Sequence, residues 1–166
     1  MNPEPNTPTS KPSDSQEEAL QRALRFLGYR PRSEAELRSF LVHRGHSAAI
    51  TERTLEKLCS LNYLNDETFA RNWAHSRAEA RGYGPNRIEQ ELRTKGIDQA
   101  LIRQVVRETF GQVDESARAR SLLEKRFKSK QFDDPRMLRR AAGFLQRRGY
   151  SRKVIFDLLK HPLEDD

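Results

Sequence analysis

From Glu17 onward the apolar residues recur at helical spacing, and no stretch shows the apolar–polar alternation of a strand. Phe69, Ala70, Trp73, Ala74 and Arg77 illustrate the pattern, because positions i, i+1, i+4, i+5 and i+8 fall on one face of a helix. Ahead of this region the pattern is blank. No hydrophobic residue follows Met1 until Ala19, and Pro3, Pro5, Pro8 and Pro12 crowd the interval. Residues 1–15 are therefore expected to form a disordered tail, with too little apolar surface to offset the entropy of ordering.

Three glycines punctuate the periodic region. Gly45, Gly96 and Gly149 lie 51 and 53 residues apart, and their surroundings match. A leucine stands four residues earlier (Leu41, Leu92, Leu145) and a cation one residue earlier (Arg44, Lys95, Arg148). Ser47, Asp98 or Ser151 stands two residues later, and an aliphatic (Ile50, Leu101, Val154) five residues later. Each feature has a physical reason. Glycine accepts the left-handed conformation that ends a helix. A cation in the last turn complements the negative end of the helix dipole. Ser or Asp caps the next helix with its side-chain oxygen. The leucine and the later aliphatic are expected to be buried neighbours across the corner. Pro31, Pro85 and Pro135 mark an upstream corner in each block, and Ser33 to Glu36 reads as a capping box.

Each block thus reads as three helices. First helices are expected near 17–28, 66–82 and 114–129, second helices near 33–44, 85–95 and 135–148, and third helices near 47–61, 98–110 and 151–160. The fold class this predicts is all-α, an elongated array of three tandem three-helix repeats over 16–63, 64–111 and 112–161, with an acidic tail at 162–166.

Composition narrows the function. The chain has 166 residues, 35% hydrophobic and 33% charged, which suits thin packing of small units better than one large core. A net charge of +7 favours anionic partners: nucleic acid, an acidic protein face or an anionic membrane. The charge is uneven: from Arg118 to Lys153 thirteen cations face only Glu124, Asp133 and Asp134. Cys59 is the single cysteine, so no intramolecular disulfide forms, and a small hydrophobe in an apolar helix is its expected role. His43 and His46 flank the first corner with no third ligand in view. No apolar run approaches the ~18 residues of a membrane span, nor does a signal peptide stand out. No Gly-rich phosphate loop and no nucleophile–base pattern is present. A cytoplasmic monomer with no cofactor, no membrane contact and no enzymatic activity is the expectation.

The middle block carries the most distinctive text. Leu61-Asn62-Tyr63-Leu64-Asn65-Asp66-Glu67-Thr68-Phe69-Ala70 is followed by Arg77, Gly82-Tyr83-Gly84-Pro85, Ile88, Glu91-Leu92 and Lys95-Gly96-Ile97, and later by Phe144-Leu145-Gln146-Arg147-Arg148-Gly149-Tyr150. Over roughly residues 19–160 the chain resembles the RecX family of recombinase regulators. The resemblance implies a protein that binds the RecA recombinase in its filament on single-stranded DNA, lies in the filament groove and bridges protomers. It further implies restraint of ATP hydrolysis, strand exchange and SOS repressor cleavage, and hence a place in homologous recombination and DNA repair.

The candidate surface for RecA or DNA is cationic. In repeat two it comprises Arg71, Arg77, Arg81, Arg87, Arg93 and Lys95, with some expected to pair locally with Glu79, Glu89 and Glu91. In repeat three it comprises Lys125, Arg126, Lys128 and Lys130, then Arg139, Arg140, Arg147, Arg148, Arg152 and Lys153. Phe69 and Trp73 are expected in the core, and Tyr83 is either an exposed anchor or packing at a repeat junction. An alternative reading is a helix-turn-helix DNA-binding transcription regulator, whose third helices would read bases through residues such as Gln99, Arg103, Gln104 and Arg107.

Overall fold

The structure, a computed structural model, describes residues 15–111, 114–127 and 134–160. The expected acidic tail, the N-terminal tail through residue 14, and Lys128 and Lys130 lie outside the described residues. Nine α-helices and no strand are present among the described residues. They group in threes: α1 (Gln16–Tyr29), α2 (Glu34–His43) and α3 (Ala48–Ser60); α4 (Asp66–Arg81), α5 (Pro85–Thr94) and α6 (Gln99–Phe110); α7 (Glu115–Phe127), α8 (Pro135–Arg148) and α9 (Arg152–Lys160). The chain divides into two compact units, Met1–Asn65 with the first triplet and Asp66–Asp166 with the other two.

The corner chemistry recurs in all three repeats. Gly45, Gly96 and Gly149 have φ of +88°, +74° and +87°. Their amides donate to the carbonyls of Val42, Arg93 and Gln146 at 2.9–3.0 Å, and the next residue's amide donates back to the repeat leucine's carbonyl at 3.2 Å. These two bonds make a Schellman motif, which satisfies carbonyls that the helix end leaves orphaned. Ser47, Asp98 and Ser151 each accept an amide bond from the first turn of the following helix. Pro85 and Pro135 occupy the first turn of α5 and α8, and Ser33 with Glu36 forms the capping box.

Packing across the corner differs from the expectation in one respect. The three leucines are buried, yet Ile50 and Leu101 are only half-buried, while Val154 is buried. The constant partner is the residue just after the glycine: His46, Ile97 and Tyr150 are all buried. The Schellman bond from that residue's amide draws its side chain inward, which a pattern of helical spacing does not register.

Alanine lines much of the first-helix contact. Ala19, Ala23, Ala70, Ala74 and Ala119 are fully buried against their neighbours. Small side chains let helices approach closely, so α1 packs on α3 and α4 on α6 with little apolar volume between them. A chain of modest hydrophobic content thereby still encloses a core in each repeat. Phe69 is buried as expected, whereas Trp73 and Cys59 are half-buried at the margins of their cores. The Cys59 thiol donates to Glu34 at 3.5 Å.

Candidate polyanion-binding groove

Repeats two and three meet backbone to backbone. Gly84 is the N-cap of α5 and offers no side-chain cap. Its amide donates instead to the Arg148 carbonyl at 2.7 Å, and the Asn86 amide donates to the Gly149 carbonyl at 3.1 Å. Orphan amides of one helix start are satisfied by orphan carbonyls of another helix end, and opposite dipole ends meet. The approach is close enough to demand glycine: a Cβ on Gly84 would sit 2.6 Å from the Gly149 oxygen, and one on Gly149 would sit 2.4 Å from Arg87 Cβ. Further bonds cross the same junction. Arg87 donates to the Arg147 carbonyl at 3.1 Å, Arg148 donates to the Arg81 carbonyl, and the Tyr150 hydroxyl donates to the Gly82 carbonyl at 3.4 Å. Burial, foremost, pushes the Tyr150 phenol up from its ordinary value, so it stays a neutral donor.

This junction gathers cations at the rim of an open groove between α4, α5, α7 and α8. Arg81, Arg87, Lys125, Arg147 and Arg148 line it, with Tyr83, Leu122 and Tyr150 among the apolar lining. Tyr83 has the Arg87 guanidinium 4.5 Å and the Arg148 guanidinium 5.5 Å from its ring centre, cation–π distances that hold both cations in place. Arg118 bridges the repeats through Glu79 at 2.7 Å. A second depression along α8 brings Arg126, Arg136, Arg139, Arg140 and Arg147 beside Phe127 and Phe144, whose rings meet edge to face at 5.9 Å. Arg147 lines both depressions, so they join in one cationic track.

Other candidates from repeat two are engaged locally. Arg71 is tied to Glu67 at 2.5 Å and to Glu108 at 2.9 Å. Arg71, with help from Gln104, holds the Glu108 carboxyl well below its usual range, at about 2. Arg93 pairs with Glu89 at 2.6 Å. Glu91 is a hub: it accepts from Trp73 Nε1 at 3.0 Å, from Arg77 at 3.1 Å and from Arg87 at 3.4 Å. Arg77 and Lys95 also lie against the Trp73 ring, at 4.2 Å and 5.0 Å. Trp73 is thereby committed to internal contacts and is no open base platform.

Repeat three differs. Lys125, Arg126, Arg139, Arg140, Arg147, Arg148, Arg152 and Lys153, together with Arg81 of repeat two, make no ion pair among the described residues. Arg152 and Lys153 stand exposed on the first turn of α9, apart from the groove lining. Arg118 and Arg136, which belong to the one-sided basic run of repeat three but not to the narrower candidate surface, line the two depressions as well. On α6, Gln99 and Gln104 donate to Glu89 and Glu108 at 3.3 and 2.9 Å, so half of the proposed base-reading set is already bonded.

Among the described residues no helix is long and apolar enough to cross a membrane, and no cluster of three His, Cys, Asp or Glu forms a metal site. Fold and groove together define an all-α protein of tandem three-helix units with a cationic junction. Three family models match in succession: the first three-helix domain of RecX over residues 19–58, the second over 65–106 and the third over 114–159. The chain belongs to the RecX family. Similar proteins called regulatory protein RecX include one from Mycobacterium sp. (strain KMS), 33% identical, covering 95% of this chain and 91% of the relative. Another, from Trichlorobacter lovleyi, is 36% identical over 93% of this chain and 99% of the relative. Two solved structures share the fold. A crystal structure of regulatory protein RecX superposes with a TM-score of 0.70 at 24% identity, covering 87% of this chain and 71% of that one. RecX from Lactobacillus salivarius gives 0.70 at 20% identity, covering 89% and 96%. At those identities the likeness concerns the fold alone.

Proposed function

We propose that this chain is a non-enzymatic cytoplasmic regulator that binds the RecA recombinase filament on single-stranded DNA and mainly restrains its ATP hydrolysis, strand exchange and SOS co-protease activity. The observation that carries the reading is the cationic track across repeats two and three, in which Arg81, Lys125, Arg147 and Arg148 have no carboxylate partner among the described residues. Cations without carboxylate partners suit phosphates or an acidic protein face, and Arg148, held against the Tyr83 ring and the Arg81 carbonyl, is ordered before binding. Family membership supports a regulatory role, since the relatives are called regulatory protein RecX. The mechanism is steric: a monomer bridges successive protomers, and weak contacts from several repeats add through effective concentration. RecA-dependent ATP hydrolysis on single-stranded DNA, with this protein titrated in, tests it. Falling hydrolysis is expected; an unchanged rate at stoichiometric excess would rule it out.

A further inference from the structure

The first unit holds a cluster that the track in repeats two and three does not include. Phe26 of α1 and Phe40 of α2 stack at 4.0 Å with their planes 2° apart. Each ring has a guanidinium over it, Arg32 at 3.9 Å from Phe26 and Arg44 at 5.2 Å from Phe40. Along α1, Arg22, Arg25 and Tyr29 follow at spacings of three and four, so they share one face of the helix. All of these residues line one open depression. Tyr29 is 85% exposed, the most exposed large hydrophobic of the described chain.

The charge there is one-sided. Glu18 pairs with Arg22 at 2.5 Å, and Glu36 pairs with Arg30 at 2.8 Å and with Arg32 at 3.9 Å. Arg25 and Arg44 make no ion pair among the described residues. Desolvation, and then the neighbouring Arg30, push the Arg32 guanidinium below its ordinary value, the situation that an incoming anion relieves.

We propose that this depression is a binding site for single-stranded nucleic acid, with a base stacked on Tyr29 and the flanking phosphates held by Arg25, Arg32 and Arg44. The cation–π contacts hold Arg32 and Arg44 in advance; Arg44 has no carboxylate partner among the described residues, and Arg32 shares Glu36 with Arg30, so both can donate to phosphate oxygens. An almost fully exposed tyrosine ring beside cations distinguishes this ligand from an acidic peptide. A base offers a π face to stack, which a run of carboxylates lacks, and only an unpaired strand can turn that face outward. The site requires no recombinase, so it goes beyond the filament-binding reading and is tested apart from it.

Fluorescence anisotropy of the full chain with a labelled oligothymidylate, in the absence of recombinase, provides the test. Tyr29→Ala is expected to weaken binding roughly 5- to 150-fold, the range of base–aromatic stacking, and Tyr29→Phe to restore it. An abasic oligonucleotide of equal length should bind wild type and Tyr29→Ala alike. Arg25→Ala should lower the slope of log affinity against log salt by about 0.7. Oligothymidylate binding that ignores Tyr29→Ala, or polyglutamate displacing the oligonucleotide at matched charge, would overturn the assignment. Tyr29 is exposed, so a circular dichroism spectrum unchanged from wild type confirms that the variant folds.

Discussion

The amide of Gly84 donates to the carbonyl of Arg148 at 2.7 Å, so the start of a helix in one repeat is capped by the end of a helix in the next. This bond and its neighbours set where Arg81, Arg87, Arg147 and Arg148 stand. A cationic groove made from two repeats depends on the two repeats being joined, and the join has no room for a side chain at Gly84 or Gly149.

Substituting Gly84 tests that dependence. The backbone at Gly84 has φ of −83°, which any residue adopts, so the penalty is one of space alone. Gly84→Ala drives a methyl into backbone atoms 2.6–2.8 Å away, which have no flexible end to swing aside. A loss of about 1–3 kcal/mol is expected in urea unfolding of the full chain, together with weaker binding to the recombinase filament.

The track makes a sharper claim about which cations matter. Arg147→Gln removes a guanidinium shared by both depressions and should raise the dissociation constant for the filament about tenfold, as loss of a charged hydrogen bond does. Arg71→Gln should change it less than about twofold, because Arg71 already serves two glutamates. Equal effects of the two substitutions, measured by filament binding at one salt concentration, would show that net charge alone decides.

In the first unit, Ser33 is buried and caps α2, with Glu36 reaching back to its amide at 3.3 Å. Ser33→Ala should cost about 1 kcal/mol in the unfolding transition of that unit, while a variant keeping the hydroxyl, Ser33→Thr, should recover most of it.

Acid should weaken the second unit. Arg118 holds the Glu79 carboxyl below its usual range, and Arg71 holds that of Glu108 at about 2. A carboxylate with a folded pKa below its unfolded value, near 4.3, stabilises the fold fully only above that value. Its contribution fades as pH falls through the folded pKa. Thermal unfolding followed from pH 6 to pH 2 should show the midpoint dropping below about pH 4, less steeply in Glu79→Gln. The carboxylates of both pairs are exposed, so added salt should shrink the effect.

How far these features were readable in the chain follows from the range of the interactions involved. The glycine corners at Gly45, Gly96 and Gly149 stood out because every bond in them spans five residues or fewer. The same is true of the Arg93–Glu89 pair, which obeys helical spacing. The partnership of Arg71 with Glu108 spans 37 residues and depends on α4 packing against α6, so a count of nearby charges overstated the freedom of Arg71. The Gly84–Arg148 bond was illegible for a stronger reason. Gly84 stands in the sequence only as part of the Gly82-Tyr83-Gly84-Pro85 corner, and the helix end brought against it from the next repeat reveals why a side chain is excluded there. In the first unit, the Phe26–Phe40 stack joins two helices and organises cations that looked unremarkable beside those of repeat three.

Co-sedimentation with RecA filaments on single-stranded DNA, comparing wild type with an Arg81→Gln/Arg147→Gln variant, addresses the central proposal most directly. Wild type should pellet with the filament and remain in solution with free RecA, and the variant should pellet at least tenfold less avidly with its helical content intact. Wild type that stays in the supernatant at every filament concentration, or a variant that pellets as well as wild type, would contradict the account.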